Sequence, residues 1–266
     1  MDIKVLKKDD TKVSFQISKI NPSIANAIRR YILAYVPTMA IDEIEFKKNG
    51  SALYDEMLAL RLGLTPLKTD LKSYKLWEGK EADRPHSAQY ELKLTMNVEG
   101  PLTVYASDLE SQDPKVVPAI EKTIITKLLE GQSIELIATA RLGQGKEHGK
   151  YTPGLAIYRG VPQLTTTKDS NVTAVLEKLS EVIEKKGTGL EIKDLTRWNE
   201  AHEDFCEMNG IEVTSSKEDF IFTIESWGQL APGEILKTAV EMFDAKIEEF
   251  ETAIKSYEKV ITINPE

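Results

Sequence analysis

The sequence predicts an α+β fold, and three observations support this. Apolar and polar residues alternate with a period of two in several segments, such as Tyr90 to Val98 and Ile134 to Leu142, which is typical of strands with one buried face. Apolar residues at helical spacing follow Asn21 and Ser170, two residue types that cap helix N-termini. A long helical pattern also follows Pro232 near the end of the chain. The 266 residues suffice for one large domain or two to three small ones.

The N-terminal segment predicts a hairpin, a helix and a returning strand. Lys7 to Thr11 form a polar turn before an alternating strand at Val13 to Ile17. Asn21 then caps a helix that ends before Pro37, and a strand is expected at Asp42 to Phe46. The apolar face of the helix holds Ile24, Ile28, Tyr31, Ile32 and Tyr35.

The middle of the chain predicts an α+β module of its own. Tyr54 to Leu62 is expected to form a short helix that ends at Gly63, whereas Leu71 to Ser87 lacks periodicity and is expected to be a loop. Between the two long alternating strands we expect a short strand at Leu102 to Tyr105 and a helix near Pro118 to Leu129.

Residues 165–217 predict a small αβ segment. A helix is expected from Asn171 to Lys186, with Gly187 just past its end. A second helix follows, and short strands near 164–166 and 211–213 bracket the pair. The apolar face of the second helix is expected to hold Trp198, Ala201, Phe205 and Met208.

The end of the chain carries the clearest local pattern. A strand at Phe220 to Ile224 precedes a helix that is expected to run to about Lys259. Apolar residues in this helix recur at alternating steps of four and three, a seven-residue repeat that presents one seam to a partner helix. At 1.5 Å per residue the helix is roughly 40 Å long, and one small fold can leave much of such a seam uncovered. The seam residues are Leu236, Val240, Phe243, Ile247, Phe250, Ile254, Tyr257 and Ile261. Packing of the whole helix within its own chain remains an alternative.

Composition narrows the possible functions. The formal net charge of −9 opposes the phosphate contacts on which non-specific nucleic-acid binding depends, so any link to nucleic acid is expected to be indirect. No stretch approaches the ~18 consecutive apolar residues that a membrane span needs, and the start of the chain lacks the apolar core of a signal peptide. We therefore expect a cytoplasmic protein without a membrane association. Cys206 is the only cysteine, which excludes an intrachain disulfide.

Six segments of the chain carry motifs that occur together in one known family. Two lie near the start, PSIANAIRRYILAYVPTMAIDEIEF at 22–46 and LYDEMLALRLGLTPL at 53–67. The others are DLESQD at 108–113, GQSIEL at 131–136, LGQGKEHGKYTPG at 142–154 and FIFTIESWGQLAPGEILKTAV at 220–240. Together these segments, spread over well over half of the chain's length, resemble the alpha-type assembly subunits of multi-subunit RNA polymerases, and among them the archaeal D subunits.

The resemblance implies a split dimerisation domain formed by residues 1–46 and 218–266. It further implies an inserted α+β domain at 47–164 and a ferredoxin-like third domain at 165–217. The implied function is a non-catalytic assembly platform of DNA-directed RNA polymerase, which is a nucleotidyltransferase complex. Such a platform pairs with the small subunit L, docks the large B subunit, contacts the small N and P subunits, and supports transcription.

The resemblance also assigns two sets of partner-binding residues. The dimer seam is expected to comprise the helix faces at both ends of the chain, namely Ile24, Ile28, Tyr31, Ile32, Tyr35, Leu236, Val240, Phe243, Ile247, Phe250 and Ile254. Contacts with the large subunit are expected from Arg29, Arg30, Asp55, Glu56, Arg61, Lys146, His148 and Lys150.

The sequence gives little support for a catalytic site or a cofactor-binding site. The glycines after Leu142 suggest a phosphate loop, but a P-loop needs Gly at position 144, where Gln stands, and a dinucleotide fingerprint needs Gly at 148, where His stands. The three histidines lie far apart and predict no zinc site. Some archaeal D subunits carry iron-sulfur clusters in the third domain, but cluster ligation takes four thiolates and this chain has one. We expect no catalytic residue, no metal and no cofactor.

Two alternatives remain open. The seven-residue repeat also permits a free-standing homodimeric scaffold, and a similar but shorter chain encoded in the same genome would argue against it. The Gly143 to Lys150 loop permits an enzyme, which nucleotide binding lost in Lys146→Ala would support.

Overall fold

The computed structural model describes residues 1–79, 83–187 and 189–263, with side chains up to Ser256. Tyr257 and Ile261 of the predicted seam lie outside the described side chains. The described helices are α1 (Pro22–Ala34), α2 (Asp55–Gly63), α3 (Val172–Lys178), α4 (Glu200–Met208) and α5 (Pro232–Ile263).

Twelve strands accompany these helices in the described ranges, and every pair whose register is defined is antiparallel. They are β1 (Asp2–Lys8), β2 (Lys12–Ser18), β3 (Pro37–Asn49), β4 (Glu91–Glu99), β5 (Leu102–Tyr105), β6 (Glu110–Ser111), β7 (Ile124–Leu128), β8 (Ser133–Gln144), β9 (Gly154–Thr166), β10 (Ile183–Lys186), β11 (Gly189–Ile192) and β12 (Ile211–Ser226). The α+β class predicted from the sequence is confirmed.

The chain forms two compact units, and unit 1 joins residues 1–29 to residues 156–225. Its main sheet has the order β1-β2-β12-β9. Strands from opposite ends of the chain meet at its centre, where Phe15 of β2 lies opposite Phe222 of β12 and the two rings stack with centroids 5.5 Å apart. Alternation along β2 sends Val13, Phe15 and Ile17 to the buried face of the sheet.

Residues 172–208 of unit 1 build a smaller core beside this sheet. Helix α3 is followed by the hairpin β10-β11 and by α4, which Asn199 caps by accepting from the backbone N–H of His202. The buried members of this core include Val175, Ile183, Trp198, Cys206 and Ile211. A ferredoxin-like fold for this segment stays a prediction.

Unit 2 joins residues 30–155 to residues 226–266. Its sheet has the order β3-β8-β4-β6, and strands β5 and β7 form a second, two-stranded sheet. Helix α2 buries Leu58 and Leu62 in a core that also includes Met39, Leu94 and Leu136 from the sheet. The predicted boundaries of the three domains stay a prediction, because compact units and domains of a family need not coincide.

Most predicted elements are confirmed, including the N-terminal hairpin, the helix before Pro37 and the long C-terminal helix. The helix predicted near Pro118 to Leu129 is wrong. Residues Ile124–Leu128 form strand β7, paired with β5. The run Ile124, Ile125 and Thr126 is β-branched throughout, and such residues favour a strand over a helix.

Two predictions in the smaller core of unit 1 are also wrong. The helix expected from Asn171 to Lys186 ends at Lys178, and Gly187, with φ of 62°, lies in the turn between β10 and β11 instead of ending a helix. Trp198 precedes α4, and Met208, expected on its apolar face, is 83% exposed. Four residues of periodicity were too few to fix the face of so short a helix.

None of the described helices is both long and apolar enough to cross a membrane.

Candidate partner interface

Helix α5 begins inside unit 2 and ends as a fully exposed helix. Ile235 and Ala239 are buried, whereas every side chain from Asp244 to Ser256 is exposed. The predicted seam follows this transition, since Leu236 and Phe243 are partly buried but Ile247, Phe250 and Ile254 are 49%, 67% and 42% exposed. We call Val240, Ile247, Phe250 and Ile254 the α5 stripe.

The second half of α1 lies against the start of this seam. The Tyr31 ring packs on Phe243 with centroids 4.8 Å apart and stacks on Tyr35 at 4.5 Å. The structure therefore brings these predicted seam residues together within unit 2. Ile32 is fully buried within the chain and exposes no surface for a partner.

The first half of α1 belongs to unit 1. There Ile24 is 42% exposed and Ile28 is partly buried. Arg30 is exposed, whereas Arg29 is held by Asn26, whose side-chain oxygen accepts from Nε at 3.2 Å and from Nη2 at 2.9 Å.

Lys150, one of the predicted contact residues, belongs to a group of side chains around the carboxylate of Asp42 on β3. This carboxylate accepts hydrogen bonds from Arg141 Nε at 2.7 Å, Lys150 Nζ at 2.8 Å and the Tyr151 hydroxyl at 3.0 Å. Arg141 also donates to Glu147 at 3.1 Å. We call these five residues the Asp42 cluster. It ties β3 and β8 to the short helical turn at Gly149–Tyr151.

In the Asp42 cluster, burial and hydrogen bonding shift the pKa of Asp42 in opposite directions. Burial raises the pKa of Asp42, but hydrogen bonds from Lys150 and Arg141 outweigh it and hold that pKa well below its usual range. Burial also raises the pKa of Tyr151, and the Asp42 charge raises it further. The carboxylate is thus ionised and the phenol neutral at pH 7, so neither is poised to exchange protons.

Lys150 was expected to contact the large subunit, but its ammonium is engaged within the chain. Its side chain is 15% exposed, and it donates to the carbonyl of Ile41 as well as to Asp42. Lys146 is more accessible and lies over the Tyr35 ring, 5.2 Å from its centroid. His148 is exposed, and its Nδ1 accepts from the backbone N–H of Lys150.

The glycines that suggested a phosphate loop have packing roles. A Cβ at Gly143 would lie 2.6 Å from the Tyr151 ring, and one at Gly145 would lie 2.0 Å from the carbonyl oxygen of Leu33. Both positions therefore require glycine for close approach of neighbouring groups. Packing therefore accounts for these two glycines without a bound nucleotide.

Helix α2 presents a further surface that sequence reasoning missed. Met57, Leu60 and Leu64 are exposed on the side opposite Leu58 and Leu62. A helix with apolar residues on both sides is a signal that one side contacts something else, and here the signal was readable in the sequence. The predicted contact residues Asp55 and Glu56 are exposed in the first turn of α2, while Arg61 donates to the carbonyl of Ile125 at 2.8 Å.

Comparison with known proteins agrees with this geometry. Residues 14–247 match the family described as the RNA polymerase Rpb3/Rpb11 dimerisation domain. The chain belongs to this family. Its seam and its α2 surface are therefore surfaces of an Rpb3/Rpb11-type chain.

Archaeal proteins of this family align with nearly the whole chain. The DNA-directed RNA polymerase subunit Rpo3 of Pyrococcus horikoshii is 35% identical, over 93% of this chain and 95% of its own length. The subunits of the same name from Thermococcus kodakarensis and Archaeoglobus fulgidus are 36% and 34% identical, over 94% and 96% of this chain and 96% and 98% of their own lengths. The resemblance inferred from the sequence motifs is confirmed.

The Rpb3/Rpb11-type chain holds no cluster of three or more potential metal ligands among its described residues. Cys206 is fully buried on α4, and burial together with Glu203 and Glu207 raises the pKa of its thiol to about 11. At neutral pH this thiol is protonated and unreactive. The expectation that the chain carries no cofactor stays a prediction.

Proposed function

We propose that the chain is the assembly platform of a cytoplasmic DNA-directed RNA polymerase and that the α5 stripe pairs with a smaller chain of the same family, equivalent to subunit L. The chain would contribute no catalytic residue and no cofactor of its own. The observation that carries the proposal is the α5 stripe, an exposed apolar surface of helical spacing, three of whose four residues lie beyond Asp244, where every described side chain is exposed.

The energetics favour an obligate partner over a transient one. Burial of each large side chain of the stripe contributes about 1.5–3 kcal/mol when it is complete, so three or four such residues supply much of the free energy of a stable interface. Obligate interfaces resemble a protein core cut in half and are more apolar than transient ones. The contact of Tyr31 with Phe243 extends the same apolar surface onto α1, as pairing of two similar chains through helices requires.

We further propose that the exposed side of α2 and Arg30 contribute to docking of the large B subunit and the small N and P subunits. Asp55 and Glu56 surround the apolar residues of α2 with charge, an arrangement typical of a polar rim around an interface core. Replacing Arg29 and Arg30 by alanine should leave the pair with the small chain intact but reduce co-purification of the large subunit. Normal co-purification would make both arginines ordinary surface charges.

The proposal is tested by measuring molar mass. The chain is expressed alone and together with the small Rpb11-type chain of the same genome, and both samples are analysed by size-exclusion chromatography with light scattering. We expect a one-to-one heterodimer in place of aggregated or self-associated chain. A homodimer that does not bind the small chain would instead identify a free-standing scaffold. A stable monomer that does not bind it would contradict pairing through the stripe.

A further inference from the structure

The main sheet of unit 1 has a second face, opposite the one that holds Phe15. Ser14 of β2 lies on this face and is buried, and its hydroxyl is 3.1 Å from that of Thr223 on β12. Gln16 lies on the same face. A trough of about 740 Å³ lies along this face, between the sheet and the segment that runs from Leu195 to Ala201. We call it the basic trough for the residues described next.

Arg159 of β9 anchors the far wall of the trough. Its Nη2 donates to the carbonyl oxygens of Leu195 and Trp198, both at 2.9 Å. A guanidinium carries five N–H donors, so Nε and Nη1 keep three that these two bonds do not use. The side chain lines the trough and is therefore a cation held in place before any ligand arrives.

Three further cations line the same trough. Lys12 pairs with Glu225 at 3.4 Å and Arg197 with Glu181 at 2.9 Å, and all four side chains are well exposed, so these pairs are weak and can exchange for other carboxylates. Lys7 makes no ion pair with any described residue.

The positive lining continues beyond this trough. Two adjoining clefts of about 500 and 490 Å³ share Lys4 and Lys193, and the second of them also includes Lys7 and Arg197. Among the described residues that line the trough itself, Glu200 is the only acidic one. The adjoining clefts also contain Glu191 and Asp194, but basic residues outnumber acidic ones along the trough and both clefts, on a chain whose formal net charge is −9.

We propose that the basic trough binds an extended acidic segment of a partner protein. Its carboxylates would be received by Arg159, Lys7, Lys12 and Arg197. Arg159 supplies planar, paired donors that match a carboxylate, and the lysines add point charges. This surface is separate from the α5 stripe, and the inference does not depend on pairing.

A single-stranded nucleic acid fits the trough less well. Such ligands stack their bases on exposed aromatic rings, but Trp198 is buried and Tyr158 packs against Phe220 and Phe222. The negative charge of the whole chain also opposes the long-range attraction of a phosphate backbone.

The experiment measures fluorescence anisotropy of a labelled poly-glutamate peptide titrated, at low salt, with the full-length chain co-expressed with the small Rpb11-type chain. We expect saturable binding that the double variant Lys7→Glu/Arg197→Glu weakens at least about tenfold, since reversed charges repel the ligand. The matched control is Lys122→Glu/Lys127→Glu, which changes the net charge equally at exposed positions of unit 2 and should leave affinity within about twofold.

Three results would overturn the inference: no saturable binding by the unmodified chain, equal weakening in both double variants, or equally tight binding of oligothymidylate of the same charge, which would identify a nucleic-acid surface. Circular dichroism verifies that the variants fold. The single variant Lys7→Ala, which loses no ion pair among the described residues, should still weaken peptide binding by about twofold to threefold.

Discussion

Unit 2 contains two groups of residues in opposite environments, the predicted seam on α5 and the Asp42 cluster, to which the predicted contact residue Lys150 belongs. On α5, apolar side chains such as Phe250 are exposed. In the Asp42 cluster, the side chains of Asp42, Arg141 and Lys150 are mostly buried and satisfy one another within the chain. Residue type alone would have placed the apolar set inside and the charged set outside.

The difference separates residues that are available to a partner from residues that stabilise the fold of the chain itself. An exposed apolar stripe leaves free energy available for association, whereas a paired buried charge already has its partners within the chain. Variants of the stripe should therefore change pairing and leave stability almost unaltered. Variants of the Asp42 cluster should do the reverse.

The largest expected effect is that of Phe250→Asp on pairing. An unpaired charge buried in the seam costs several kcal/mol, so affinity for the small chain should fall by more than about a hundredfold. The control is Thr252→Asp, which adds the same charge about 200° around the helix. Co-purification and light scattering measure how much heterodimer each variant forms. Equal loss in both variants would mean that an added charge anywhere on α5 weakens pairing, whether or not the position is buried in the seam.

Asp42→Asn should destabilise the chain by about 2–3 kcal/mol, because it leaves Arg141 and Lys150 without their carboxylate while partial exposure softens the loss. Urea unfolding of the purified heterodimer measures this. Asp10→Asn, at an exposed turn, is the control and should change stability by less than about 0.5 kcal/mol. If the Asp42→Asn heterodimer instead dissociates before its chains unfold, the substitution acts on pairing. That result would contradict the assignment of the Asp42 cluster to stability.

The same carboxylate predicts a dependence on pH. Its pKa is lower in the folded chain than in the unfolded one, so its contribution to stability is present above the unfolded pKa of about 4 and is lost as pH falls below that value. The urea midpoint of the unmodified chain should therefore fall more steeply in acid than that of Asp42→Asn. If the urea midpoints of the two proteins fall equally as the pH is lowered, the Asp42 cluster does not set this dependence.

The smallest effect distinguishes two lysines of one loop. Lys150→Ala removes a charge-assisted hydrogen bond and should cost about 1–2 kcal/mol of stability. Lys146→Ala removes an accessible cation over the Tyr35 ring and should cost about 0.5 kcal/mol, with its main effect on docking of the large subunit. Equal losses of stability would assign both lysines to the internal network.

The sequence predicted long elements well and short ones poorly. The alternation in β4 and β8 and the seven-residue repeat of α5 extend over enough residues for periodicity to be decisive. Strand β7 was missed because its five residues, Ile124–Leu128, are too few for periodicity to separate a strand from a helix before the partner β5 is known.

The α5 stripe could be located because apolar residues at helical spacing are visible in the sequence, whereas its coverage by a partner stays a prediction. The internal role of Lys150 could not be predicted, since Asp42 lies 108 residues away and nothing local connects the two. Ile32 shares the helix face of the seam residues, yet the depth to which each side chain is buried depends on packing that periodicity does not encode.

The pairing of β2 with β12 has a consequence for synthesis on the ribosome. Phe15 emerges early, but the strand that covers it contains Phe222. At ~5–20 residues per second, the N-terminal hairpin waits on the order of ten seconds or more for its neighbour. During that time its apolar face is open to the nascent-chain chaperones of the cell, and truncation anywhere before β12 leaves unit 1 without the central strand of its sheet.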